Sequence, residues 1–131
     1  MKQNTLLTVT SLLSILFLTL HLTSDFLHDA GELSLPGVLI SALVLTVLLW
    51  GTLVLAERRT GHVIMLLGAL FALGMPVLHL MRARGVAGTL ARPDAFFFVW
   101  ILLALGVSGL FSAALSVRGL VSLKRAGPGS P

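Results

Sequence analysis

Apolar residues fall in four long runs, at residues 5–22, 37–56, 63–81 and 95–117, parted by short polar breaks. A hydrocarbon core of about 30 Å takes roughly 20 helical residues at about 1.5 Å each, so every run has the length of one crossing. Backbone N–H and C=O groups inside hydrocarbon must be paired within the chain, and a helix pairs them locally. The pattern predicts an all-α fold: a four-transmembrane-helix bundle running up-down-up-down. Residues 1–125 form its one domain, and residues 126–131 form a disordered tail.

The breaks place the helix ends. The first helix is expected over about Asn4 to Leu27, with Ala30-Gly31 as its stop. Lys2 and the run after it have the outline of a signal peptide. No small-x-small cleavage site follows at His21 to Phe26, so this helix is expected to be retained. Ser34 is the expected N-cap of the second helix, and Pro36 suits its first turn, where a missing N–H is no loss. That helix is expected to end at Glu57-Arg58-Arg59, with Thr60-Gly61 as a tight turn into the third.

The third helix is expected from about His62 to Arg82. It is kinked at Pro76, which cannot donate to the Ala72 carbonyl. Arg84 to Thr89 reads as a flexible loop. The fourth helix opens at Pro93-Asp94, where a carboxylate favours the helix N-terminus, and ends near Val117-Arg118. From Lys124 onward the chain reads as disordered.

Composition agrees with the pattern. Only 11% of residues are charged, against about 25% in a soluble domain, and mean hydropathy is +1.03. The net charge of +4 comes from basic residues at the ends of apolar runs, which points to membrane topology and not to nucleic acid. Lys2, Arg58, Arg59, Arg118, Lys124 and Arg125 flank one side, and Arg82, Arg84 and Arg92 the other. The positive-inside rule then puts both termini in the cytoplasm of a cell with this protein in its inner membrane. Phe96, Phe97, Phe98 and Trp100 fall at the outer interface as an aromatic belt, and Trp50 nearer the inner one. The chain has no cysteine and no tyrosine, which excludes disulfides, thiolate metal sites and phenol chemistry.

One polar pattern carries candidate chemistry. His21, Asp25, His28 and Glu32 are spaced 4, 3 and 4 apart, on one stripe of a helix, with Asp29 beside it. Imidazole and carboxylate one turn apart are good ligands for zinc and similar divalent ions. His79 lies near the same end of the third helix as His21 does of the first, so a shared metal site is expected from His21, Asp25, His28 and His79. The two histidines are expected to face the bundle interior within about 10 Å of each other, because lipid-facing polar groups are costly. Haem b, held between His21 and His79, is the rival cofactor. The bland alternative makes His28, Asp29 and Glu32 solvated loop residues, His21 a hydrogen-bonded core histidine and His79 an interfacial one.

Ala104, Ser108, Ser112 and Ser116 recur every fourth residue beside Gly109. Small residues on one face let helices approach closely, either inside the bundle or as a seam to a membrane partner or second copy. Glu57, Arg58, Arg59 and His62 read as a topology anchor at the lipid surface. No phosphate loop follows a strand, no nucleophile elbow occurs, and no carboxylate sits near the bilayer midplane as a proton-coupled drug antiporter would need. Binding or transport around a metal site at the outer rim is thus the leading expectation. An accessory subunit acting by helix packing comes second and an enzyme last.

Overall fold

The computed structural model describes residues 2–28, 34–81 and 85–125, those at 2, 3, 28, 85 and 86 by backbone alone. They form α1 (Lys2–His28), α2 (Leu35–Leu53), α3 (Arg59–Met81), α4 (Gly85–Leu90) and α5 (Ala95–Arg125). No strand occurs among the described residues. Helices α1, α2, α3 and α5 are each long and apolar enough to cross a membrane, which marks a multi-pass membrane protein.

Local chemistry explains the helix starts. Ser34 Oγ accepts a hydrogen bond from the Gly37 N–H at 3.3 Å, and a proline occupies the first turn of α2. The ends depart from expectation in three places. The α2–α3 turn lies at residues 54–58, not at Thr60-Gly61, which are inside α3. Helix α2 already reaches about 28 Å with its 19 residues, so Glu57 and Arg58 stay outside it. Gly61 serves a contact instead, since a Cβ there would run into the Leu55 carbonyl.

The stretch expected as a loop holds the short helix α4, whose Thr89 and Leu90 pack toward Pro76 and His79 of α3. Helix α5 runs on past Arg118 to Arg125, so Lys124 and Arg125 are helical; residues 126–131, expected to be disordered, lie outside the described set. Gly119 does not stop α5 because its bare face receives the His62 ring.

Helix α5 is the hub, packed along both α3 and α1, while α2 lies at the edge against α3 and α1. Ile15, Leu18, Leu48, Ala72 and Leu105 form the apolar core. The small-residue stripe of α5 points into it. Ser108, Ser112 and Ser116 are buried, and a Cβ on Gly109 would lie 3.1 Å from Ala72 Cβ and 3.2 Å from the Ala69 carbonyl. Ser11 and Ser112 share a hydrogen bond of 2.7 Å, and Ser14 donates to Ser108 at 3.1 Å. Ser108, Ser112 and Ser116 thus pack within the chain, with Ala104 partly buried. Helix α2 has the opposite character: only Leu48, Gly51 and Thr52 are buried, Leu45 packs partly buried against the core, and most of its other apolar side chains are exposed.

Glycine contacts decide how closely α2 and α3 approach. Gly61→Ala would force the Leu55 backbone away and should cost about 1–3 kcal/mol, the range for overpacking a tight contact. Gly74 has open space around its missing Cβ, so Gly74→Ala should be neutral or stabilising by up to about 1 kcal/mol. Thermal unfolding of the two variants in detergent checks the contrast, with Gly61→Ala melting below the parent and Gly74→Ala at or above it.

Candidate metal centre

Helix α1 presents His21 and Asp25 one turn apart, and α3 brings His79 to them. The two Nε2 atoms are 3.3 Å apart, and Asp25 Oδ2 lies 3.4 Å from His21 Nε2 and 3.8 Å from His79 Nε2. His21 is fully buried and His79 is partly buried. The inward placement expected of both histidines holds, and their separation is far below 10 Å. The polar face of α1 turns inward as a whole, with Ser14 and His21 buried and Thr10 and Asp25 partly so. His28 closes α1, but its side chain, like Asp29 and Glu32, lies outside the described residues.

The triangle has a chemical reading. Three acceptor-capable atoms converge with sides of 3.3, 3.4 and 3.8 Å. Its circumcentre is about 2.0 Å from each corner, and zinc bonds to imidazole nitrogen and carboxylate oxygen are about 2.0–2.2 Å. A proton between the two nitrogens satisfies one edge of the triangle, whereas a cation satisfies all three corners. These three residues are the group among the described residues that can hold a metal ion. On the far side of the His21 ring, Nδ1 is buried with no hydrogen-bond partner among the described residues.

A second layer surrounds the triangle, built by residues that pattern reading assigned elsewhere. Arg92 lies in the turn after α4, and its Nη1 donates to Asp25 Oδ1 at 3.3 Å. Its Nε and Nη2 donate to the two oxygens of Asp94 at 3.0 and 3.3 Å, and Nη2 also reaches Ser24 Oγ at 3.3 Å. Ser24 in turn donates to Asp94 Oδ2 at 2.8 Å. The guanidinium carbon sits 3.8 Å above the centre of the Phe98 ring. Phe98 touches both imidazoles, with centroids 5.4 Å from His21 and 5.1 Å from His79.

Phe98 is therefore no belt residue: it is completely buried, while Phe96, Phe97 and Trp100 are exposed as a belt requires. The available signal for this layer was Arg92-Pro93-Asp94 itself, paired opposite charges held rigid by proline just before a helix. By pattern alone Arg92 reads as a topology charge and Asp94 as a carboxylate facing the helix dipole. On its other side His79 borders an apolar cleft of about 200 Å³, lined with Pro76, Leu90 and Leu102.

Charges in this layer reinforce one another. Hydrogen bonding from Arg92 is the main cause that lowers the Asp94 pKa from 3.8 to about 2, outweighing partial burial, with Ser24 helping. Burial opposes the Arg92 charge, but the hydrogen bonds and charges of Asp94 and Asp25 outweigh it and raise its pKa.

Comparison with protein-family models, curated proteins and solved structures gives no significant match, so the site's own chemistry carries the functional reading.

A carboxylate with a folded-state pKa below its unfolded value stabilises the fold above the unfolded pKa and loses that effect as pH falls through the folded one. The Asp94 contribution is thus complete above about pH 4 and is lost on acidification toward pH 2. In detergent, the parent protein should lose thermal stability over that window. Asp94→Asn should be less stable at neutral pH and show a shallower loss between pH 5 and 2.

Proposed function

We propose that this chain is a small inner-membrane protein that binds a divalent metal ion of the zinc class through His21, Asp25 and His79, at the extracytoplasmic rim of a four-helix bundle. The convergence of two imidazole nitrogens and one carboxylate oxygen on a point about 2 Å from each carries the reading. Two nitrogens disfavour calcium and magnesium, which take oxygen ligands. Three protein donors leave one position of a tetrahedron for water or an exchangeable ligand, the arrangement of an open and not a closed structural site. His28 joins the set only if the end of α1 turns it toward the triangle.

An open, rim-located site suits binding or transfer of the ion itself. In this reading the helices alternate up-down-up-down with both termini cytoplasmic, as the basic-residue asymmetry requires. α3 kinks at Pro76, one turn before His79, where the helix loses a hydrogen bond.

Haem fits the same histidines poorly. Bis-imidazole ligation separates the two nitrogens by roughly 4 Å, twice a metal–nitrogen bond of about 2 Å, with a porphyrin plane between the rings. Here the nitrogens are 3.3 Å apart and the ring centroids 4.9 Å, at right angles. The second reading is an accessory subunit acting through helix packing.

Metal analysis of the purified protein should find about one zinc-class ion per chain after loading. His21→Ala, Asp25→Asn and His79→Ala should each weaken Zn²⁺ binding by tenfold or more, and His21→Ala/His79→Ala should cost little beyond either single change, because the residues share one site. Iron in place of a zinc-class ion on the parent protein, with a Soret band in its spectrum, would replace this reading with haem. Reporter fusions after Glu57 and at the C-terminus should read cytoplasmic, and one after Gly88 extracytoplasmic.

A further inference from the structure

Carboxylates bind metals through one oxygen or two, and the second oxygen of Asp25 is engaged by a residue that is not itself a ligand. Its Oδ2 faces the histidine nitrogens, while Oδ1 is engaged by Arg92 Nη1 at 3.3 Å. We propose that Arg92 is the specificity-determining positioning residue of the metal site, holding Asp25 to one-oxygen coordination and so favouring zinc-class ions over larger oxygen-seeking ones. This rests on the metal-binding reading above and deepens it.

Arg92 is built to stay in place. Two of its nitrogens are forked onto Asp94, one of them also meets Ser24, and its planar face lies on Phe98. The fork and the stack are both properties of a guanidinium and not of an ammonium. Phe98 is wholly buried against the same two imidazoles, tilted to one and edge-on to the other, so the guanidinium, the ring and the ligands form one packed cluster. Swinging Arg92 away would strip partners from Asp94 and Ser24 together.

Coordination number follows from this. With Oδ1 engaged, the chain offers two nitrogens and one oxygen, a set suited to a four-coordinate ion with one exchangeable position. With Oδ1 released, the carboxylate can bind through both oxygens. The set then grows to four donors, half of them hard oxygen, which suits Mn²⁺ and similar ions of higher coordination number.

The test uses the full-length protein in detergent, loaded with Co²⁺ as an optical probe for the zinc-class ion and challenged with Mn²⁺. Four-coordinate Co²⁺ absorbs visible light several times more strongly per ion than five- or six-coordinate Co²⁺. The parent protein should give the intense four-coordinate spectrum and resist Mn²⁺. Arg92→Gln should lower absorption per bound Co²⁺ and improve Mn²⁺ competition by about tenfold, the lower end of effects seen when groups behind a metal ligand are changed.

Arg92→Lys, which keeps the charge but not the fork, should resemble Arg92→Gln. Asp94→Asn, which loosens the fork, should shift both readouts in the same direction and serves if Arg92→Gln does not fold. An unchanged Co²⁺ spectrum and Mn²⁺ competition in Arg92→Gln and Asp94→Asn would overturn the role of Arg92 while leaving the metal site standing. Restoration of the parent spectrum by Arg92→Lys would reduce Arg92 to a charge and overturn its positioning role. Failure of the parent protein to bind Co²⁺ would overturn the metal site itself and this proposal with it.

Discussion

A polar side chain at hydrocarbon depth has no water to turn to, and the packing of this protein follows from where such side chains find partners. Serine and threonine hydroxyls have two solutions. Thr19, Thr23 and Thr46 donate back to the carbonyl one turn earlier in their own helix. Ser11 reaches across to Ser112, and Ser14 reaches both Ser108 across the interface and the Thr10 carbonyl of its own helix. The cross-helix pairs need close backbones, and the small residues of α5 provide that approach. Hydroxyl pairing between membrane helices is worth about 0.6 kcal/mol on average, so these bonds fix register more than they supply stability.

His62 uses the threonine solution, its Nδ1 reaching the Arg58 carbonyl oxygen at 3.1 Å, but His21 and Asp25 find their partners on other side chains. His21 is fully buried, and its Nε2 finds His79 and Asp25. The carboxylate then needs its own counter-charge, which comes from Arg92, and the arginine needs a second anion, Asp94. Two positive-capable rings, two carboxylates and one guanidinium are thereby linked in one network at the end of the bundle. The buried Nδ1 of His21 shows that this network is organised around the Nε2 side and leaves the other face of the ring unpaired among the described residues.

The network also accounts for the route of the chain between α3 and α5. Helix α4 and the turn after it return Arg92 over the end of the bundle, so that it meets α1 at Ser24 and Asp25. Pro93 fixes the backbone between Arg92 and Asp94, and Asp94 accepts the first helical hydrogen bond of α5 from the Phe98 N–H at 2.9 Å. Phe98 is therefore placed one turn into α5, under the guanidinium and against both histidines. A segment that looks like a plain connection is thus the outer layer of the site.

Much of this was legible from the chain alone, for identifiable reasons. Four apolar runs of membrane length determine four long helices, because the bilayer forbids unpaired backbone. Ser34 and Pro36 determine a helix start, since capping is local. The spacing of His21 and Asp25 determines that they share a face, because both lie on one helix. Positions that depend on a neighbouring helix were not legible. Gly61 looks like a turn and is a contact point, because only the Leu55 carbonyl opposite it explains the missing side chain. Phe98 looks like its exposed neighbours Phe96 and Phe97, because burial depends on which side of α5 faces α1 and α3. That Arg92 meets Asp25 across 67 positions was decided only in three dimensions. Sequence periodicity sets which residues share a face, but the pairing of two faces depends on how whole helices pack.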